Sequence, residues 1–160
     1  MTAYRFKDTH RSGVRGEVIL DAAFSPRFEI RRATDEQQRQ GIDRLYRDRE
    51  TGEEFTIEIK SDWTAAKTGR AFIETVSVDR ENKPGWAYSS QADMLLYFIP
   101  PLLLVYAVRL EKLRPHLSLW ERVYPQRSIP NSHQAGDYFT RGLLVPLAEL
   151  ENIAESVVSL

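Results

Sequence analysis

With 160 residues, the chain has room for one hydrophobic core and not for two ordinary domains. Apolar residues make up 42% and charged residues 28%, which excludes a disordered segment, and a formal net charge of -1 excludes binding to nucleic acid by overall basicity. The absence of cysteine rules out a disulfide framework and a thiolate metal centre, and it fits a reducing, cytoplasmic setting.

The N-terminal "MTAYRFKDTHRSG" is polar and does not read as a signal peptide. "RGEVILDAAF", Arg15 to Phe24, has helical spacing, and Ser25-Pro26 ends it. "RFEIRRA" alternates as a short strand, and "DEQQRQ" reads as a polar loop. "GIDRLYRDRE" and "EEFTIEIKSD" alternate strongly about Thr51-Gly52 and predict a hairpin. "RAFIETVSV" is a further strand, "DRENKPG" a loop and "AYSSQAD" a short helix or turn. The longest apolar run, "MLLYFIPPLLLVYAV", is split by Pro100 and Pro101; it reads as buried strands rather than a membrane span. "RLEKLRPHLSLWERV" is helical despite Pro115, and "PQRSIPNSHQAGD" is a loop. "YFTRGLLVP" is a strand, and "LAELENIAESVVSL" is a closing helix. His10, His116 and His133 show no zinc spacing.

The hairpin carries the chemistry. A two-residue turn at Thr51-Gly52 sets Asp43 opposite Lys60 and Leu45 opposite Glu58. Alternation then places Asp43, Glu58 and Lys60 on one face, while Phe55, Ile57 and Ile59 point to a core with Ile42 and Tyr46. Two carboxylates that close suit Mg²⁺, which takes hard oxygen ligands and keeps several waters, and Mn²⁺ can substitute. A lysine beside them can orient or deprotonate a water, or hold a phosphate oxygen. The same three residues on an arbitrary hairpin are more often a solvated charge pattern, so the surroundings decide.

"GID", a turn and then "IEIK" resemble the PD-(D/E)xK nuclease motif of the restriction-endonuclease-like superfamily, in its small phage, mobile-element or Holliday-junction-resolvase-like types. The family's Pro is Ile42 here, which leaves Asp43 in place. The order helix, strand, Asp strand, ExK strand is similar to the family's core, over roughly residues 15–99. The resemblance implies an α/β fold with an αβββαβ core, a mixed central sheet flanked by helices, and a C-terminal strand and helix extension over 102–160 within one nuclease domain. It implies a Mg²⁺-dependent deoxyribonuclease that acts on DNA, with duplex, branched and single-stranded substrates left open. Asp43, Glu58 and the Ile59 backbone carbonyl would be metal ligands, Lys60 catalytic, and Glu17 of the first helix an assisting ligand. A homodimer, or a role as a partner in a phage or mobile-element machine, fits the superfamily. The alternative is a non-catalytic nucleic-acid-binding or assembly subunit on the same scaffold.

Weaker candidates surround this set. Arg39 and Gln40 precede the Asp strand and are candidate DNA-backbone contacts, as are Ser90 and Gln91, although a helix cap is the commoner role for a serine there. Glu74 alternates with Ile73, which allows it to face the site, and a structural or surface role is the favoured reading. Trp63, Trp86 and Trp120 are candidates for stacking on bases, although such residues are more often core or rim. Arg31 and Arg32 are candidates for a basic rim.

Overall fold

The computed structural model describes residues 6–133 and 136–160. In chain order the elements begin with helix α1 (Phe6–Phe24), strand β1 (Phe28–Arg32), short helix α2 (Asp35–Arg39), and strands β2 (Arg44–Asp48) and β3 (Glu54–Ser61). A turn of helix α3 (Ala65–Thr68), strands β4 (Arg70–Val78) and β5 (Lys83–Pro84), and short helix α4 (Trp86–Ser89) follow. Strands β6 (Met94–Ile99) and β7 (Leu104–Arg109), helix α5 (Leu110–Val123), strands β8 (Gln126–His133) and β9 (Gly136–Pro146), helix α6 (Leu147–Ile153) and strand β10 (Ser156–Ser159) complete the chain. The fold is mixed α/β. Six strands form a central sheet in the order β1-β2-β3-β6-β7-β10, in which β3 and β6 are parallel and the other pairs antiparallel. A second, antiparallel sheet runs β5-β4-β9-β8. Among the described residues no helix is long and apolar enough to cross a membrane.

Strand β3 divides the molecule. Its residues Ile57 and Ile59 face α1 and pack with Leu20, Tyr46, Leu96 and Phe98. The helix comes close because Gly16 lies over Ser61, where an added Cβ would be 2.0 Å from the hydroxyl oxygen. Glu58 and Lys60 share the opposite face with their register partners Leu95 and Tyr97. On that side the core continues through Ile73 and Leu143 of the second sheet to Leu113, Leu117 and Trp120 of α5.

One hydrogen-bonded knot joins the sheets. Tyr97 Oη donates to Asp62 Oδ2 at 2.5 Å and accepts the Phe72 N–H of β4 at 2.9 Å. Asp62 Oδ2 accepts that N–H too, at 3.3 Å, while Oδ1 accepts the N–H groups of Thr64 and Ala65 at 2.9 Å each. Burial and the adjacent Asp62 push the Tyr97 hydroxyl well above its ordinary pKa, so it serves as a permanent donor.

Several sequence expectations change. The hairpin turn is longer than two residues: Asp48 N–H pairs with Glu53 O, and the buried Asp48 carboxylate accepts the N–H groups of Glu50 and Thr51 inside the loop. Arg44 therefore faces Ile57 and Leu45 faces Thr56, two residues from the expected register. A slip of two leaves the side chains of β2 and β3 on their expected faces, because the strand period is two. Ile42, however, precedes β2 and packs with Ile73 and Leu95 on the Glu58 side instead of with Ile57 and Ile59. Helix α1 starts at Phe6, well before Arg15. "DEQQRQ" is helical over Asp35–Arg39 because Thr34 and Gln37 form a capping box. "PQRSIPNSH" forms β8 and not a loop; an outer strand with one neighbour tolerates its polarity and Pro130. The closing helix stops at Ile153, and Val157 and Val158, both β-branched, enter β10 at the edge of the central sheet.

Tyr97→Phe removes the donor to Asp62 and the better of two acceptors for the Phe72 N–H. It should destabilise the protein by about 1–3 kcal/mol, read as a lower urea midpoint at unchanged slope.

Candidate active site

The residues before β2 set the geometry. Gly41 turns the chain from α2 into the Asp43 segment with φ +77, and a Cβ there would lie 2.8 Å from Ser90 Cα and 2.9 Å from Glu58 Oε2. Only glycine meets both conditions. Ser90 Oγ donates to Gly41 O at 2.8 Å, and the Gln91 N–H donates to Gln40 O at 2.8 Å. Arg114 of α5 holds this turn from behind, donating through Nε to Ala87 O at 3.1 Å and through Nη2 to Ser90 O. The helix layer thus fixes the loop that delivers Asp43.

Asp43 N–H donates to Ile57 O, and Asp43 Oδ2 accepts the Ile59 N–H, both at 2.7 Å. The carboxylate takes a ladder position that a strand carbonyl would otherwise fill, so it is held rigidly against β3. Glu58 is buried at 3% exposure. Its Oε1 pairs with Lys60 Nζ at 2.6 Å, and its Oε2 is buried without a hydrogen-bond partner. Lys60 is the open side of the pair, with 37% of its side chain exposed.

The charges are coupled. Burial pushes the Glu58 carboxyl above its usual range, with Lys60 opposing the shift, Asp43 adding to it, and the nearby Ser90 hydroxyl drawing it down slightly. Burial would lower the Lys60 ammonium, but Glu58, and then Asp43 and Glu74, outweigh it and hold the pKa above its ordinary value.

Asp43, Glu58 and Lys60 are therefore brought together on one face. Glu17 is not. Its Oε2 accepts from Arg44 Nη2 at 2.9 Å, next to Asp21 at 3.0 Å from the same nitrogen, on the α1 side of the sheet. Arg44, the first residue of β2, faces Ile57 in register and pairs with both α1 carboxylates, holding them on the α1 side of the sheet. Among the described residues no group of three or more acidic or histidine side chains is placed to share an ion. Ser90 is buried, and its hydroxyl donates to Gly41 O beside Glu58. Arg39 and Gln91 are exposed, while the Gln40 carbonyl serves the turn.

Glu74, for which a structural or surface role is the favoured expectation, lies close enough to Lys60 to act on its charge. A register shift between Glu74 and Val76 interrupts β4, and Gly85 packs so closely that a Cβ there would lie 2.8 Å from Glu74 Cγ. Burial raises its pKa, while Lys60 and the Trp86 N–H draw it down. The alternation with Ile73 was the available signal; the second sheet that carries it to Lys60 was not.

No protein-family model matches the chain, and no curated protein matches it. Among solved structures, a bacterial homing endonuclease, I-Ssp6803I, is similar at 20% identity over 67% of this chain and 72% of that one, with a TM-score of 0.48.

Lys60→Met leaves the buried Glu58 without its counter-charge. Because Lys60 is partly exposed, the loss at pH 8 should be about 1–3 kcal/mol, below that of a fully buried pair. A raised carboxyl pKa stabilises only where the proton is bound and is lost as pH rises through the folded value. The penalty should therefore shrink as pH falls toward about 4.5, followed by denaturant titrations at several pH values.

Proposed function

We propose that this chain is a divalent-metal-dependent endonuclease of the PD-(D/E)xK type that hydrolyses phosphodiester bonds in DNA. The observation that carries the reading is Glu58: a carboxylate buried in mid-sheet, one oxygen on Lys60 and the other unpartnered, with Asp43 beside it. A buried carboxylate oxygen without a donor is costly, and a cation is the partner such an oxygen lacks. Two carboxylates and a carbonyl, here Asp43, Glu58 and Ile59 O, suit Mg²⁺ or Mn²⁺, because Mg²⁺ is commonly held by one or two carboxylates with waters and substrate phosphate in the remaining positions. The missing third carboxylate is compatible with that coordination. When bound, the ion would supply an activated water and stabilise charge growing on the phosphate.

The protein's own groups supply the rest. Asp43 is positioned by the Ile59 N–H, so little reorganisation is needed for ligation. Lys60, the exposed partner of Glu58, would hold the attacking water or a non-bridging phosphate oxygen. Water oxygen attacks phosphorus and gives up a proton to solvent, the bond to one ester oxygen breaks, and the leaving oxygen takes up a proton from solvent.

The purified protein should cut DNA with Mg²⁺ or Mn²⁺ and not with EDTA. Asp43→Asn, Glu58→Gln and Lys60→Ala should each lower the cleavage rate by about 10²- to 10⁴-fold while remaining folded. Glu17→Gln should stay within a few-fold of wild type, since Glu17 is bonded to Arg44 on the other face. Gel assays on plasmid, branched, single-stranded and RNA substrates measure all four variants. Undiminished cleavage by Lys60→Ala would refute the proposed role of the site.

A further inference from the structure

Of the three tryptophans, Trp86 and Trp120 are buried at 7% and 1% exposure, whereas Trp63 is 36% exposed. It follows the end of β3, three residues beyond Lys60, so the two Cα atoms are at most about 11 Å apart. Its backbone is pinned on both sides. The Asp62 N–H donates to Phe98 O at 2.8 Å, and Asp62 Oδ1 accepts the N–H groups of Thr64 and Ala65. The indole is thus presented from a rigid turn and loses little freedom when something packs on it.

Helix α1 completes the feature. Gly16 lies against Ser61, and this close approach sets the preceding turns of the helix beside the end of β3. Arg11 and Arg15, four residues apart and so on one helix face, join Ser12 and Trp63 around an open notch of about 410 Å³. Among the described residues neither arginine has an ion-pair partner. A flat aromatic surface flanked by two guanidinium groups matches a nucleobase with phosphates on either side. An acidic peptide would use the arginines and leave the indole idle.

We propose that this notch holds an unpaired base of a nucleic-acid strand, stacked on Trp63, with its neighbouring phosphates on Arg11 and Arg15. The proposal rests on the nuclease reading, and it adds a preference for a strand with unpaired nucleotides next to the cut. Bases in a duplex are already stacked on one another and cannot offer a free face without paying to unstack.

The test is binding in EDTA, so that no cleavage intervenes, by anisotropy of a labelled oligothymidylate and of a labelled duplex. Trp63→Ala should weaken single-strand binding by about five- to 150-fold and change duplex binding much less. Trp63→Phe keeps an aromatic face and should retain most of the affinity. The double variant Arg11→Gln/Arg15→Gln should lower the slope of log affinity against log salt by about 1.4. Wild-type indole emission should quench on binding and do so much less in Trp63→Phe, since the other two tryptophans are buried. Unchanged single-strand affinity in Trp63→Ala, or equal losses on single strand and duplex, would overturn the notch. A wild type that cuts DNA alongside an unaffected Trp63→Ala fails the notch alone, whereas a wild type that neither binds nor cuts any nucleic acid fails both readings.

Discussion

A carboxylate in the middle of a β-sheet, shielded from water, is the constraint around which much of this structure is arranged. Glu58 is almost fully buried and yet sits next to a second carboxylate. An isolated buried charge would be neutralised or would unfold its surroundings. Lys60 relieves the charge at one oxygen. The neighbouring backbone is then fixed tightly enough that the arrangement cannot relax: Asp43 is tied to Ile59, Gly41 to Ser90, and Ser90 to Arg114. Each tie comes from a different element, so the geometry of two carboxylates depends on α4, α5 and both strands of the hairpin.

The two faces of β3 separate stability from chemistry. Ile57 and Ile59 bury against Leu20 and Phe98 and resist slippage, because a one-residue shift would turn isoleucines toward the site and charges into the core. That same penalty is why the hairpin chemistry was legible in the sequence. The expected turn was too short and the register moved by two, yet the sharing of one face by Asp43, Glu58 and Lys60 survived, since any register that keeps the isoleucines inside keeps these three outside them. What alternation could not give was the loop itself, where Asp48 gathers the turn N–H groups through its side chain.

Other features were hidden for identifiable reasons. Glu17 has the helical position that a resemblance assigns to a ligand, but the sequence gives no sign that Arg44 would claim it. A helix glutamate pairs with whichever cation its neighbouring strand presents, and here that is the residue after the Asp. Strands β8 and β10 lie at sheet edges, where half the pattern that marks a strand is absent. Of the tryptophans, only Trp63 follows a strand end held by an Asx turn, and composition alone does not distinguish it from Trp86 and Trp120.

The second sheet gives the site its remaining charge. Strand β4 is tied to the central sheet where the Phe72 N–H meets Tyr97, and Tyr97 is the register neighbour of Lys60. Two residues on, just before the interruption of the strand, Glu74 lies within the electrostatic reach of Lys60. Glu58, Asp43 and Glu74 all act on Lys60, and Lys83 acts on Glu74 from its other side. Under the proposed function, Asp43 and Glu74 together with Glu58 would keep Lys60 charged, since all three oppose the lowering effect of burial. The insertion of β4 and β5 between the β2-β3 hairpin and β6 therefore has a physical consequence for the candidate site: it places a further carboxylate near Lys60, on the side away from the α1 glutamate.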